Sequence, residues 1–158
     1  MTSPSVSVAL YEPEIPGNAG SVARLCAATS SPLHLIGRLG FSFEHPKAKR
    51  AVMDYWAGVE LHRHINHADF AAACAGRTVW AFSTRAERDH WDAEFSRDDV
   101  LLFGPESRGL PSSLLAEAGV HALRIPMLPS ARSLNLSTSV SAALYEALRQ
   151  LRWRPARD

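Results

Sequence analysis

The sequence predicts an α/β domain with a parallel sheet covered by helices on both faces, and three observations point to it. Short apolar runs bounded by polar turns alternate with stretches of helical periodicity from end to end. The connections between them are short, as in repeated β-α units. The 158 residues match one ordinary domain, and 46% hydrophobic against 21% charged side chains supply enough material for a core. A single domain over residues 1–158 is expected, with a basic tail from 152 to 158.

The elements follow in order. Ser5–Tyr11 reads as a strand, apolar at Val6, Val8 and Leu10 with serines between. After the turn-rich EPEIPGN, Ala19–Thr29 predicts a helix in which Ala19, Val22, Leu25 and Cys26 share one arc and Arg24 points the other way. Leu33–Ile36 is a short strand, and Pro46–Met53 a short helix begun by proline. Val59–His62 is a weak strand, and Ala68–Ala75 an alanine-rich helix closed by Gly76. Thr78–Phe82 and Val100–Phe103 are buried strands. Pro111–Ala118 predicts a helix ended at Gly119, and Ala122–Ile125 another strand. In the last helix Leu136, Val140, Ala143, Leu144, Ala147, Leu148 and Leu151 recur at helical spacing. This stripe is wider than one sheet face requires. The tail Arg149–Asp158 carries four arginines, and Pro155 should stop the helix.

Composition excludes several classes. Seventeen Lys plus Arg against sixteen Asp plus Glu leave a net charge of +1, so nucleic-acid binding must come from a local basic patch. Cys26 and Cys74 stand far apart in no metal-ligand spacing, which argues against a disulfide framework or a zinc site and for a reducing compartment. The N-terminus lacks a basic n-region and carries Pro4, Pro13 and Pro16 where a signal peptide would be apolar. Leu25–Gly37, free of charged residues, is too short to span a membrane and contains Pro32 and His34. A soluble, cytoplasmic protein without membrane contact or metal is expected.

In a parallel sheet, ligands bind at the carboxyl ends of the strands. Four loops should lie on that edge: 12–20 (EPEIPGNAG), 83–85 (STR), 104–111 (GPESRGLP) and 126–137 (PMLPSARSLNLS). Gly104 and Gly109 have the spacing of a phosphate-binding loop, but Leu110 and Pro111 stand where Lys and Ser/Thr are needed. The loop instead holds a carboxylate, Glu106, between its glycines. Ser133, Asn135 and Ser137 precede the last helix, where they suit simple N-capping or an anionic ligand. Asn18 and Arg24 bracket the first turns of the first helix. His62, His64 and His67 cluster in a weak strand and its following turn and read as surface residues. Lys47, Lys49 and Arg50 with Arg38, and the four tail arginines, are interleaved with Tyr55, Trp56 and Trp153, as in single-stranded RNA sites or on solvated faces.

The segments LYEPEIPGNAGSVARLCAAT, LFGPESRGLP and RIPMLPSARSLNLSTSVSAALYEALRQ, in this order and spacing, resemble the SPOUT superfamily of S-adenosylmethionine-dependent RNA methyltransferases. Within it they are similar to the small tRNA 2′-O-ribose methyltransferases of the wobble position. The likeness runs from residue 6 to about 152, with Ala19 and Ser21 replacing the usual Thr and Asn and with Pro129 inside the third segment. It implies a C-terminal trefoil knot, a feature that periodicity alone never suggests. It also implies catalytic-site residues Asn18, Arg24, Glu106, Ser133, Asn135 and Tyr145. A methyl-donor site falls on Phe82, Ser83, Gly104, Glu106, Ile125, Met127, Ser133 and Leu134. RNA contacts would come from Arg24, Lys47, Lys49, Arg50, Arg108 and Arg132.

The implied reaction moves a methyl group from S-adenosylmethionine to the ribose 2′-OH of tRNA position 34, C or modified U, in leucine tRNAs. The expected partners are the tRNA anticodon stem-loop and a second copy of the chain in a homodimer. Such a displacement needs alignment and removal of the hydroxyl proton, and no metal. Arg24 serves as base only if its charge is disfavoured by the site, since a guanidinium stays charged below about pH 12. Otherwise it orients the phosphate and stabilises the forming alkoxide. Two other readings stand beside this one: methylation of another tRNA or rRNA nucleotide, and a knotted RNA-binding protein without catalysis.

Overall fold

The computed structural model describes residues 6–42, 56, 58–117 and 119–157. Six strands form one all-parallel sheet: β1 (Ser7–Tyr11), β2 (Leu33–Ile36), β3 (Leu61–His64), β4 (Val79–Phe82), β5 (Val100–Phe103) and β6 (Val120–Leu123), in the spatial order β3-β2-β1-β5-β4-β6. The helices are α1 (Pro16–Thr29), α2 (His67–Ala73), α3 (Ser112–Leu115) and α4 (Leu136–Gln150).

Every residue of β2, β4 and β5 is buried, because both faces of the sheet are covered. On one face Val8, Leu10, Phe82, Leu101 and Phe103 pack with Val22 and Cys26 of α1 and Val140, Leu144 and Leu148 of α4. On the other, Ala9, Ile36, Ala81 and Leu102 pack under Phe70 of α2 and Leu114 of α3. The alternation of side chains along each strand assigns these two sets. Register keeps the carboxyl ends level: Leu10 pairs with Phe103, Phe82 with Phe103, and Phe82 with Leu123.

The element bounds differ from the expected ones in instructive ways. α1 begins at Pro16, three residues before the expected Ala19, because proline suits the first helical turn. β3 and the expected Val59–His62 are offset by two residues, since β2 sets the register, Leu33 against Leu61. β6 likewise starts at Val120 rather than Ala122, opposite Val79. The expected Pro111–Ala118 helix is a single turn, Ser112–Leu115. A 3₁₀ turn at His90–Asp92, unforeseen from sequence, follows β4. The expected helix Pro46–Met53, and Lys47, Lys49 and Arg50 with it, lies outside the described residues.

Two further expectations are corrected. The apolar stripe of α4 is not left over for a partner: Leu136, Val140, Ala143, Leu144, Ala147 and Leu148 are all buried within the chain, against α1 and the sheet. Of the clustered histidines, His62 is exposed as expected, whereas His64 and His67 are half-buried. His34 of β2 is 5% exposed and stacks on His62 and His64 at 4.7 and 5.2 Å between ring centroids. His34 Nδ1 and His64 Nε2 share a hydrogen bond of 2.9 Å, and His62 reaches Glu60 at 2.8 Å. Burial pushes His34 down to about 3 and lowers His64 as well, because a charged imidazole there would lose its water and face its neighbours' charge.

Candidate active site

The four loops singled out above meet at the carboxyl edge of the sheet. Between them lies a cleft of about 500 Å³, within the usual range for small-molecule sites. Its floor is Phe82 and Phe103, stacked at 4.7 Å with planes 12° apart. Both come from the ends of adjacent strands paired in register, so the aromatic floor follows from the sheet itself.

Phe82 and Ser83 line the cleft after β4, Gly104 and Glu106 after β5, and Ile125, Met127, Ser133 and Leu134 after β6. These are the eight positions that the resemblance gives to the methyl donor. Asn18, Asn135 and Arg108 line it too, whereas Arg24, Arg132 and Tyr145 do not. Arg24 is exposed on α1, six residues past Asn18, about 9 Å along the helix axis. Tyr145 is 51% exposed on α4. Arg132 is exposed in the loop before α4. The side chain of Arg108 is 57% exposed and pairs with Glu12 at 2.7 Å.

The rim is held by an interlocked set of hydrogen bonds. Glu106 accepts from the backbone N–H of Glu14 at 2.8 Å, from that of Ile15 at 3.1 Å and from Asn18 Nδ2 at 3.3 Å. Its carboxylate therefore sits at the start of α1, where free N–H groups and the helix dipole favour a negative charge. Asn135 Nδ2 donates to Asn18 Oδ1 at 3.1 Å. Asn135 Oδ1 in turn accepts from Ser137 N, Ser137 Oγ and Thr138 N at 2.9, 2.7 and 3.3 Å, capping α4. Three loops far apart in sequence are thus joined by side chains.

Three participants were not foreseen from sequence. Glu14 Oε1 accepts from Ser107 N at 2.9 Å and from Ser107 Oγ at 2.6 Å, and these bonds hold its carboxyl below the ordinary glutamate value. Arg85 donates to Leu110 O at 2.7 Å and to Ser112 Oγ at 3.1 Å, tying the loop after β4 to the loop after β5. Glu14 and Arg85 lie inside loops already marked by the sequence, but their partners are decided only by the fold. Among the described residues, no group of three or more His, Cys, Asp or Glu is arranged to hold a metal.

Sheet and cleft together define a parallel α/β protein with a cleft of small-molecule size at the carboxyl ends of its strands. The pattern of the SpoU rRNA Methylase family matches residues 5–145. The chain belongs to that family. It is 45% identical, over 90% of its length and 94% of the relative's, to a tRNA (cytidine(34)-2′-O)-methyltransferase of Methylovorus glucosotrophus (strain SIP3-4). A solved structure described as giving insights into 2-OH methylation of C/U34 on tRNA superposes with TM-score 0.88 at 51% identity, covering 94% of this chain and 97% of that one. An AdoMet-bound rRNA methyltransferase from Sinorhizobium meliloti superposes with TM-score 0.82 at 32% identity, covering 95% of this chain and 58% of that one.

Proposed function

We propose that the protein methylates the ribose 2′-OH of the wobble nucleotide of tRNA, position 34, with S-adenosylmethionine as methyl donor. The observation that carries this reading is that all eight donor-site positions line one cleft with an aromatic floor. The apolar side chains of Phe82, Phe103, Ile125 and Met127 in the lining suit an adenine ring, and Ser83 and the polar rim suit its ribose and amino-acid ends. Bound there, S-adenosylmethionine supplies an electrophilic methyl group on a sulfonium.

The chain's own residues then have separate tasks. Glu106 is occupied by three N–H donors at the start of α1 and is thereby engaged in holding that helix, not in taking a proton. Asn18 and Asn135 tie α1 to the loop that carries Ser133 and Leu134. Arg24, on the exposed side of α1, orients the phosphate beside the target ribose and stabilises the alkoxide as the proton passes to phosphate or water.

Arg24 and Tyr145 both lie outside the cleft of their own chain, on helices packed against each other. A homodimer that sets these exposed faces together would bring them to a cleft and join the basic surfaces for an anticodon stem-loop. A C-terminal trefoil knot is proposed by family likeness, and the return of the chain from edge strand β6 to α1, where Asn135 meets Asn18, is compatible with it. Leucine tRNAs are the proposed substrates by family likeness, and the cytoplasm the proposed compartment. No helix among the described residues is long and apolar enough to cross a membrane.

The rRNA alternative is less favoured, because the tRNA relative is matched over 94% of its own length and the rRNA enzyme over 58%. The test is transfer of labelled methyl to bulk tRNA lacking 2′-O-methyl groups, with wild type and Arg24→Ala side by side and nuclease mapping of the product. Label on the wobble ribose, lost in R24A while donor binding persists, supports the reading. Label elsewhere discards the substrate, and binding of donor and tRNA without transfer discards the activity.

A further inference from the structure

The start of α1 and the loop after β5 are gripped from both sides. Glu106 reaches across to the backbone of Glu14 and Ile15, and Glu14 reaches back to the backbone and hydroxyl of Ser107, the residue next to Glu106. Each loop thus supplies a carboxylate to the other's N–H groups, and the two carboxylates cross. Behind this clasp, Gly40 N–H donates to Pro13 O at 2.9 Å, and a Cβ on Gly40 would lie 2.6 Å from Glu14 Cα. The backbone of Gly40 therefore lies directly against the segment that carries Glu14.

From this geometry we infer that Glu14 is a positioning residue for methyl transfer: its bonds to Ser107 lock Glu106 and Asn18 into register and so fix the start of α1 against the cleft. This inference rests on the reading of the cleft as a methyl-transfer site. The three bonds to Glu106 all end on one side chain, so alone they would leave the loop free to pivot about that carboxylate. The second carboxylate, acting in the opposite direction, removes that freedom. Both bonds from Ser107 end on the same Glu14 oxygen, so one acceptor oxygen on residue 14 can take both. Glutamine offers that oxygen and alanine does not.

The test compares wild type, Glu14→Ala and Glu14→Gln in single-turnover methyl transfer at saturating S-adenosylmethionine and tRNA. S-adenosylmethionine binding by calorimetry and the side-chain amide NMR signals of Asn18 and Asn135 are followed in parallel. E14A is expected to slow transfer by about 10- to 100-fold, the scale of a small misplacement of reacting groups, with donor affinity held within about threefold. E14Q is expected to recover most of the rate. The Asn18 and Asn135 amide signals should shift in E14A and return in E14Q. Wild-type rates in E14A, equal losses in E14A and E14Q, or a loss of donor affinity as large as the loss of rate would each overturn the inference. Should wild type itself transfer no methyl, the proposed function fails. The amide signals then decide the clasp alone: unmoved in E14A they overturn it, and displaced in E14A but restored in E14Q they support it.

Discussion

Asn18 and Asn135 stand 117 residues apart in sequence and meet side chain to side chain at 3.1 Å. Each has a second engagement, Asn18 with Glu106 and Asn135 with the first N–H groups of α4. One amide pair therefore links the start of the first helix to the start of the last. A side chain that caps a helix is commonly a local device, but here the cap also carries the link between loops.

The two duties of Asn135 can be separated. Asn135→Ala removes the cap and the link, and should cost about 1 kcal/mol of stability, a fall in Tm of roughly 2–4 °C for a chain of this size. Asn135→Asp keeps a good capping oxygen and loses the amide donor to Asn18. It should melt near the wild-type temperature yet transfer methyl more slowly, which calorimetry and a rate assay would read independently.

Gly104 tests the loop after β5. A Cβ there would lie 2.5 Å from the carbonyl carbon of Gly109 and would also collide with the amide nitrogen of Leu110. Both neighbours are backbone and cannot rotate away. Gly104→Ala should therefore open the turn that holds Glu106 and weaken S-adenosylmethionine binding by roughly tenfold or more, since the loop forms one wall of the cleft. Equilibrium binding to the purified variant would check this.

Arg108 separates a structural from an RNA-binding use. Its pair with Glu12 is exposed enough that the bond should contribute only about 0–1 kcal/mol. Arg108→Ala is expected to change Tm by no more than about 4 °C. If the guanidinium also meets RNA phosphate, tRNA affinity should fall and its salt dependence should flatten by about one counterion. A titration of tRNA binding against salt distinguishes the two.

The imidazole stack at the edge of the sheet predicts a pH effect with a definite sign. His34 is held near 3 in the fold against an ordinary value of 6.5, so the unfolded chain binds the extra proton between these limits. Its neutral form contributes stability that is fully present above pH 6.5 and is lost as pH falls toward 3. His64, also lowered, acts in the same direction. Glu146 is held near 2 by Arg149, so its contribution is lost later, between 4.5 and 2. Melting temperature should decline from pH 6.5 to 5, before glutamate protonation matters, and His34→Gln should flatten that part of the profile.

Much of this was legible in the sequence wherever one segment dictates its own outcome. VLLF at 100–103 is a strand with the expected ends, and Leu33–Ile36 likewise. The loops at the carboxyl edge were legible because glycine, proline and polar residues follow those strands. What escaped depends on partners distant in the chain. His64 read as solvent-facing because nothing local shows that His34, on the neighbouring strand, lies against it. Glu14 was one acidic residue in a turn until the fold set it against Ser107, 93 residues on. Its chemistry was visible, its partner was not.

The strand order has a consequence for synthesis of the chain. β1 leaves the ribosome before the other five strands, yet it lies inside the sheet, between β2 and β5. Until residues 100–103 emerge, the far edge of β1 has no strand to pair with, and its N–H and C=O groups on that edge stay unpaired. The cleft arises later still, when α4 arrives to close against α1. An arrested or truncated nascent chain therefore presents a sticky, half-built sheet to the cell and no site at all, because binding competence appears only with the last helix.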